Sequence, residues 1–190
     1  MIDDEDRLRS DARANRDRLL EVARDAFAAA PGASLNSIAK AAGVGAGTLY
    51  RHFPTREALI LAVYRKEIQA LVDLAPALTA RHPPLKAFQI WCDRLAQYGR
   101  IKHGLADVLH AALTDRDHQD AYGPMVGAVE HLLRACEASG AVRLGANAED
   151  VLLLLGFLWR IKPGAAGAAQ ASRLLALVLR GLGATHSGID

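Results

Sequence analysis

Within one short stretch, Thr48, Tyr50, Arg51, His52 and Arg56 bring hydroxyl, imidazole and guanidinium donors together with no carboxylate among them. The hydroxyls of Thr48 and Tyr50 and an imidazole N–H of His52 can donate to phosphate oxygens. Arg56 stands at an expected helix start, where free backbone N–H groups also favour an anion. Base edges need other partners: Asn36, Thr48 and Arg51 can hydrogen-bond them, Ala46 can meet a thymine methyl, and Gly47 lets the backbone come close. Other accounts stay open, since Tyr50 can lie against the first helix with its hydroxyl in water and His52 can pack as a neutral ring under the turn.

The basic charge is concentrated around this stretch. Residues 7–56 hold nine Lys/Arg against four acids, residues 57–190 hold fourteen against thirteen, and four acids fall in the first six positions, for a formal net charge of +2. Arginines on a helix equally form a solvated face, so charge alone does not decide for nucleic acid. Arg7, Arg9, Arg13 and Arg16 precede or open the first helix. They are either a basic arm reaching a neighbouring groove or backbone, or a solvated tail partly cancelled by the acids at 3–6.

Catalytic parts are missing: there is no G-x-S-x-G, G-x-x-x-x-G-K-[ST], H-E-x-x-H or E-x-x-H, so no catalytic residue is assigned. His103, Asp107 and His110, at i, i+4 and i+7, can share a helix face and hold a divalent ion, but Gly104 interrupts them and a partly exposed polar face is the simpler account. No metal and no cofactor is assigned. Cys92 and Cys136 stand 44 positions apart, with neither CxxC spacing nor a disulfide framework, and read as small buried thiols.

Supporting elements are helical throughout. A length of 190 residues with 51% hydrophobic and 23% charged content suits one large domain, or a small module on a larger one, and excludes disorder and fibres. Apolar residues recur at helical spacing, and no stretch alternates as a strand would. Helices are expected at 11–30, ended by Pro31-Gly32, and at 35–42, capped by Ser34 and stopped by Gly43. Others follow at 45–52, closed by Pro54; at 56–78, capped by Thr55; and at 85–102, 104–114, 119–139, 148–161 and 167–184, about nine in all.

The helices at 35–42 and 45–52, joined by Ala42-Gly43-Val44, make a helix-turn-helix whose second helix can enter a major groove about 12 Å wide. A glycine turn between short helices also occurs in all-α proteins that bind no DNA. The run Ser34-Leu35-Asn36-Ser37-Ile38-Ala39-Lys40-Ala41-Ala42-Gly43-Val44-Gly45-Ala46-Gly47-Thr48-Leu49-Tyr50-Arg51-His52-Phe53-Pro54-Thr55-Arg56-Glu57-Ala58-Leu59, with its G-T-L-Y-x-H-F core, resembles the TetR/AcrR family of transcriptional regulators over residues 14–64. The resemblance implies an all-α fold: a three-helix DNA-binding domain fused to a larger helical ligand-binding and dimerisation domain. Here these are expected at 11–55 and 56–190, behind a flexible tail at 1–10. Many family members have Ser where Gly45 stands, so no serine contact is carried over.

The C-terminal part is read on its own residues. The segment 148–161 is apolar nearly all round, and the last helix repeats the theme with Leu174, Leu175, Leu177, Val178, Leu179 and Leu182, which fits a four-helix bundle made with a second copy of the chain. Two ordinary core helices within one chain are the alternative. An effector chamber is expected between the middle helices, with Trp91, Leu95, Tyr98, His110, Met125 and Trp159 as its residues and Cys92, Leu113, Tyr122, Val129 and Phe157 beside them; plain core packing is the other account of each.

The longest apolar run, 151–155 extending to Trp159, is short of the ~18 residues of a membrane span, and the acidic start is no secretory signal, so a cytoplasmic protein with no membrane partner is expected. The expectation is therefore a homodimeric, ligand-responsive repressor that binds palindromic double-stranded operator DNA and is released by a small, largely apolar effector. Control by a protein partner, with either sign of regulation, stays open, as does a helical carrier without DNA function.

Overall fold

The computed structural model describes residues 4–30, 32–105, 109, 111, 113, 115–143, 145–161 and 164–183. Among them are eight α-helices, one 3-10 helix and no strand. They are α1 (Asp4–Ala29), α2 (Leu35–Ala41), α3 (Ala46–His52), α4 (Arg56–Thr79), α5 (Pro84–Gly104), α6 (Asp115–Ala138), α7 (Ala148–Leu155), the 3-10 helix (Gly156–Arg160) and α8 (Ala165–Gly181).

Several expected boundaries move. The first helix begins at Asp4 rather than at 11, so the expected tail over 1–10 is helical from its fourth residue. The segment expected as one helix at 148–161 divides at Gly156, where the tighter 3-10 geometry takes over. Its α-helical part starts on a cap not foreseen: the Asn147 side chain accepts from the N–H groups of Glu149 (2.8 Å) and Asp150 (3.1 Å). The helix expected at 104–114 falls largely outside the described residues.

The chain divides into two compact units, Met1–Lys66 with Gly104–Leu113, and Glu67–His103 with Thr114–Asp190. In the first, Leu19, Leu20, Ala23 and Phe27 of α1 form the inward stripe that their spacing implies, and they are buried along with Ile38, Leu49, Phe53, Leu59, Ile60 and Val63. Helices α2 and α3 have seven residues each, well below the ~12–15 at which an isolated helix becomes even marginally stable. Side-chain burial, about 1.5–3 kcal/mol for each large apolar residue, must therefore hold them.

In the second unit the buried set includes Leu71, Phe88, Trp91, Cys92, Leu95, Val129, Leu132, Cys136, Leu155 and Leu179. Helix α6 closes on Gly140 at φ +72°, with Ala141 donating to Cys136 and Gly140 to Glu137, a paired closure that a left-handed glycine permits. The apolar segment after Asn147 is buried on one side only within this chain: Val151, Leu152, Leu155 and Leu158 are inside, while Leu153 and Leu154 are 76% and 59% exposed. No helix among the described residues is long and apolar enough to cross a membrane.

Candidate nucleic-acid interface

The turn that sets α3 against α2 is built from the sequence upward. Ser34, in an extended conformation, caps α2 by accepting from the Ser37 N–H at 3.1 Å. At the other end Gly43 adopts φ +69°, which lets its N–H reach the Lys40 carbonyl (3.1 Å) and the Val44 N–H reach the Ala39 carbonyl (3.0 Å). Those bonds satisfy the last carbonyls of α2 and reverse the chain within two residues. Gly45 then opens α3 with no side-chain cap. Leu49 and Phe53, one turn apart and buried, hold the inner face of α3 in the core.

The outer face carries the residues singled out from sequence. Ala46, Gly47, Tyr50, Arg51 and His52 are exposed, Thr48 is half-buried, and Asn36 is exposed on the first turn of α2. Tyr50 is 44% exposed, which leaves its ring available rather than packed away. His52 is also exposed, its ring tilted beside Phe53 with centroids 6.2 Å apart, so the alternative of a histidine buried under the turn does not describe it. The Arg51 guanidinium folds back over its own helix, Nε donating to the Gly47 carbonyl (3.3 Å) and Nη2 to the Thr48 hydroxyl (3.4 Å).

Two arginine contacts were not legible in the sequence. The Arg56 guanidinium lies 5.3 Å from the centre of the Phe27 ring, and that of Arg16 lies 5.5 Å from Phe53. Cation–ring attraction of this kind holds a guanidinium in place without neutralising it. Thr55 accepts from the Ala58 N–H (3.1 Å) and caps α4 as expected. Lys66, further along α4, reaches α1 through the Asp17 carbonyl (3.2 Å), the Asp17 carboxylate (3.3 Å) and the Glu21 carboxylate (3.4 Å). No motif announces that clasp, because its partners are nearly 50 positions away. The side chains of Arg7, Arg9 and Arg13 lie outside those described.

Of the expected chamber residues, Trp91, Leu95 and Tyr98 share one buried face of α5, and Met125 is buried on α6. The Trp91 indole N–H donates to the Leu71 carbonyl of α4 at 2.8 Å, so its polar edge is engaged within the protein and only its ring face is left for other contacts. Tyr122 is 47% exposed and does not line an interior. Cys92 and Cys136 are free buried thiols, as their types and spacing suggested. Burial pushes the Cys92 thiol well up, helped by Asp93 and by Cys136 itself, and pushes Cys136 up to about 11. His110, Asp107, and the side chains of His103 and Trp159 lie outside the described residues.

Comparison with known proteins agrees with this arrangement. Residues 19–63 match the family model described as bacterial regulatory proteins, tetR family, and residues 83–184 match the C-terminal domain of SbtR-like transcriptional regulators. The chain is similar to the solved TetR transcriptional regulator SCO0520 of Streptomyces coelicolor, with 40% identity, 88% of this chain and 97% of that one covered, and a TM-score of 0.78. A TetR transcription regulatory protein from Mycobacterium vanbaalenii is 33% identical over 92% of this chain and 98% of its own, with a TM-score of 0.75. Among curated proteins, the HTH-type transcriptional regulator SAR2658 of Staphylococcus aureus is 32% identical over 99 residues. The matched stretch spans about half of that relative, 53% of its length and 50% of this chain.

Proposed function

Because the chain belongs to the TetR family of transcriptional regulators, we propose that it is a sequence-specific DNA-binding regulator, a homodimer on a palindromic operator that a small, largely apolar effector releases. The observation that carries this reading is the outer face of α3. A helix held from behind by buried Leu49 and Phe53 turns Ala46, Gly47, Tyr50, Arg51 and His52 outward, beside exposed Asn36. In this reading Tyr50, His52, Thr48 and Arg56 position the helix on phosphates, and Asn36, Ala46, Gly47, Thr48 and Arg51 meet base edges.

A second copy is proposed to cover the last two helices, where Leu153, Leu154 and Leu177 are exposed. The effector is proposed to lie among the middle helices, with Trp91, Leu95, Tyr98 and Met125, and by sequence His110 and Trp159, as its surroundings. Such a regulator works in the cytoplasm, and repression is the sign of control proposed. The unbroken helix α4, which contributes residues to both compact units, would carry the effector's influence. That coupling needs only a differential affinity of about 1–3 kcal/mol.

Selection of random duplex DNA on the purified protein tests the reading. The expected result is enrichment of an inverted repeat with half-sites about 34–36 Å apart, bound more than about 10³ times tighter than scrambled DNA at fixed salt. Enrichment of nothing, with residual binding lost at modest salt, would overturn it.

A further inference from the structure

We infer that Arg51 is the specificity-determining residue of α3, reading a guanine in each half-site through the outer edge of its guanidinium, with Thr48 as the positioning residue that aims it; the inference rests on the DNA-binding reading above. Gly47 lies in the middle of the first turn of α3, where glycine is less favourable than alanine. Nothing among the described residues requires it: its φ is not positive, and a Cβ placed there meets nothing within 4 Å. The same holds for Gly45. The start of α3 therefore presents bare backbone, and Ala46 between the two glycines adds a single methyl.

Arg51 is the long polar side chain that runs back along this surface. Its two contacts engage the Nε–H and one N–H of Nη2. A guanidinium has five donors in a rigid fork, so three N–H groups stay outside these two contacts, and two of them lie side by side on the Nη1–Nη2 edge. That edge matches the O6 and N7 acceptors of guanine, which lie side by side in one plane. Being tethered at Nε and Nη2 restricts the direction of the fork. Direction matters for two coplanar acceptors on a base and little for a phosphate, which accepts from many sides. The Thr48 hydroxyl receives the Arg51 N–H and so keeps its own proton for a phosphate oxygen. At 3.3 and 3.4 Å both tethers are long, so they guide the fork without locking it.

The test measures base preference position by position, using the enriched duplex and its single-base variants with the full-length protein and with Arg51→Ala, Arg51→Gln and Thr48→Val. Arg51→Ala should remove the preference for G·C at one symmetry-related pair of positions, a roughly 10- to 100-fold loss of discrimination, while the ranking elsewhere is kept. Arg51→Gln should move that preference toward adenine, whose N6 and N7 suit a carboxamide. Thr48→Val should blur the same position, because the fork loses its guide. Uniform weakening of all duplexes by Arg51→Ala, with the log–log salt slope reduced by about 0.9, would make Arg51 a phosphate contact and overturn the inference alone. Absence of any preferred duplex with the unaltered protein would overturn the DNA-binding reading, and this inference with it.

Discussion

Gly43 holds φ +69°, while Gly47, four positions later, has ordinary helical geometry and open space around its Cα. Replacing each with alanine should therefore act in opposite directions. At Gly43 the added Cβ meets no neighbour but does meet its own backbone, and stability should fall by about 1–2 kcal/mol. At Gly47 alanine removes the entropic penalty of glycine in a helix, and stability should rise by roughly 0.5–1 kcal/mol. Urea unfolding midpoints at one fixed protein concentration check both. If the bare start of α3 exists to approach DNA, the stabilised Gly47→Ala protein should bind its operator more weakly, a trade that a merely structural glycine would not show. The need for Gly43 was legible in the sequence, because a glycine between two short amphipathic runs has few other uses. The path of the Arg51 side chain was not legible, since it depends on which of several staggered conformations finds an acceptor within its own helix.

At the scale of elements, the buried thiols make the packing of α5 and α6 sensitive to alkaline pH. Cys92 and Cys136 are fully buried and their thiols are pushed up, Cys136 to about 11. In the unfolded chain a thiol ionises near pH 8.5, so above that value the unfolded state holds fewer protons than the native state and is favoured. The stabilising contribution is complete below about pH 8.5, and it is lost as pH rises toward the folded value, by up to about 1.4 kcal/mol per pH unit for each thiol. Unfolding midpoints measured from pH 7 to 10.5 should decline, and Cys136→Ala should start lower but decline less steeply. An equal slope in that variant would show that other groups govern the alkaline limb. Element type was readable here from apolar spacing, and so was the burial of both cysteines. Their proximity was not, because it depends on how two helices far apart in sequence meet. The bond from Trp91 to Leu71 is illegible in the sequence for the same reason. The break at Gly156 is illegible for another: leucine-rich periodicity continues through it to Leu158, and only backbone geometry distinguishes an α turn from a 3-10 turn.

For the whole molecule the instructive residues are Leu153, Leu154 and Leu177, exposed at 76%, 59% and 55% on a chain whose other leucines are mostly inside. The apolar character of 148–161 on all sides was visible in the sequence, and burial on more than one side followed from it. One chain provides that burial on one side only, which makes the uncovered side the proposed seat of a second copy. In a two-fold interface each residue counts twice, so each leucine buried there contributes two burials of about 1.5–3 kcal/mol, scaled by the exposure removed. Leu153→Glu exchanges one good helix former for another, and as the most exposed of the three it should leave the fold of the single chain intact by circular dichroism. It would place two carboxylates in the proposed interface, and sedimentation at micromolar concentration should show a monomer. DNA binding then loses the linkage of two reading helices. Affinity for the inverted repeat should fall by about 10²–10⁴, while affinity for an isolated half-site stays as it was. A Leu153→Glu protein that remained dimeric and bound the repeat unchanged would place the second copy on another surface, and the exposed leucines would then need a different partner.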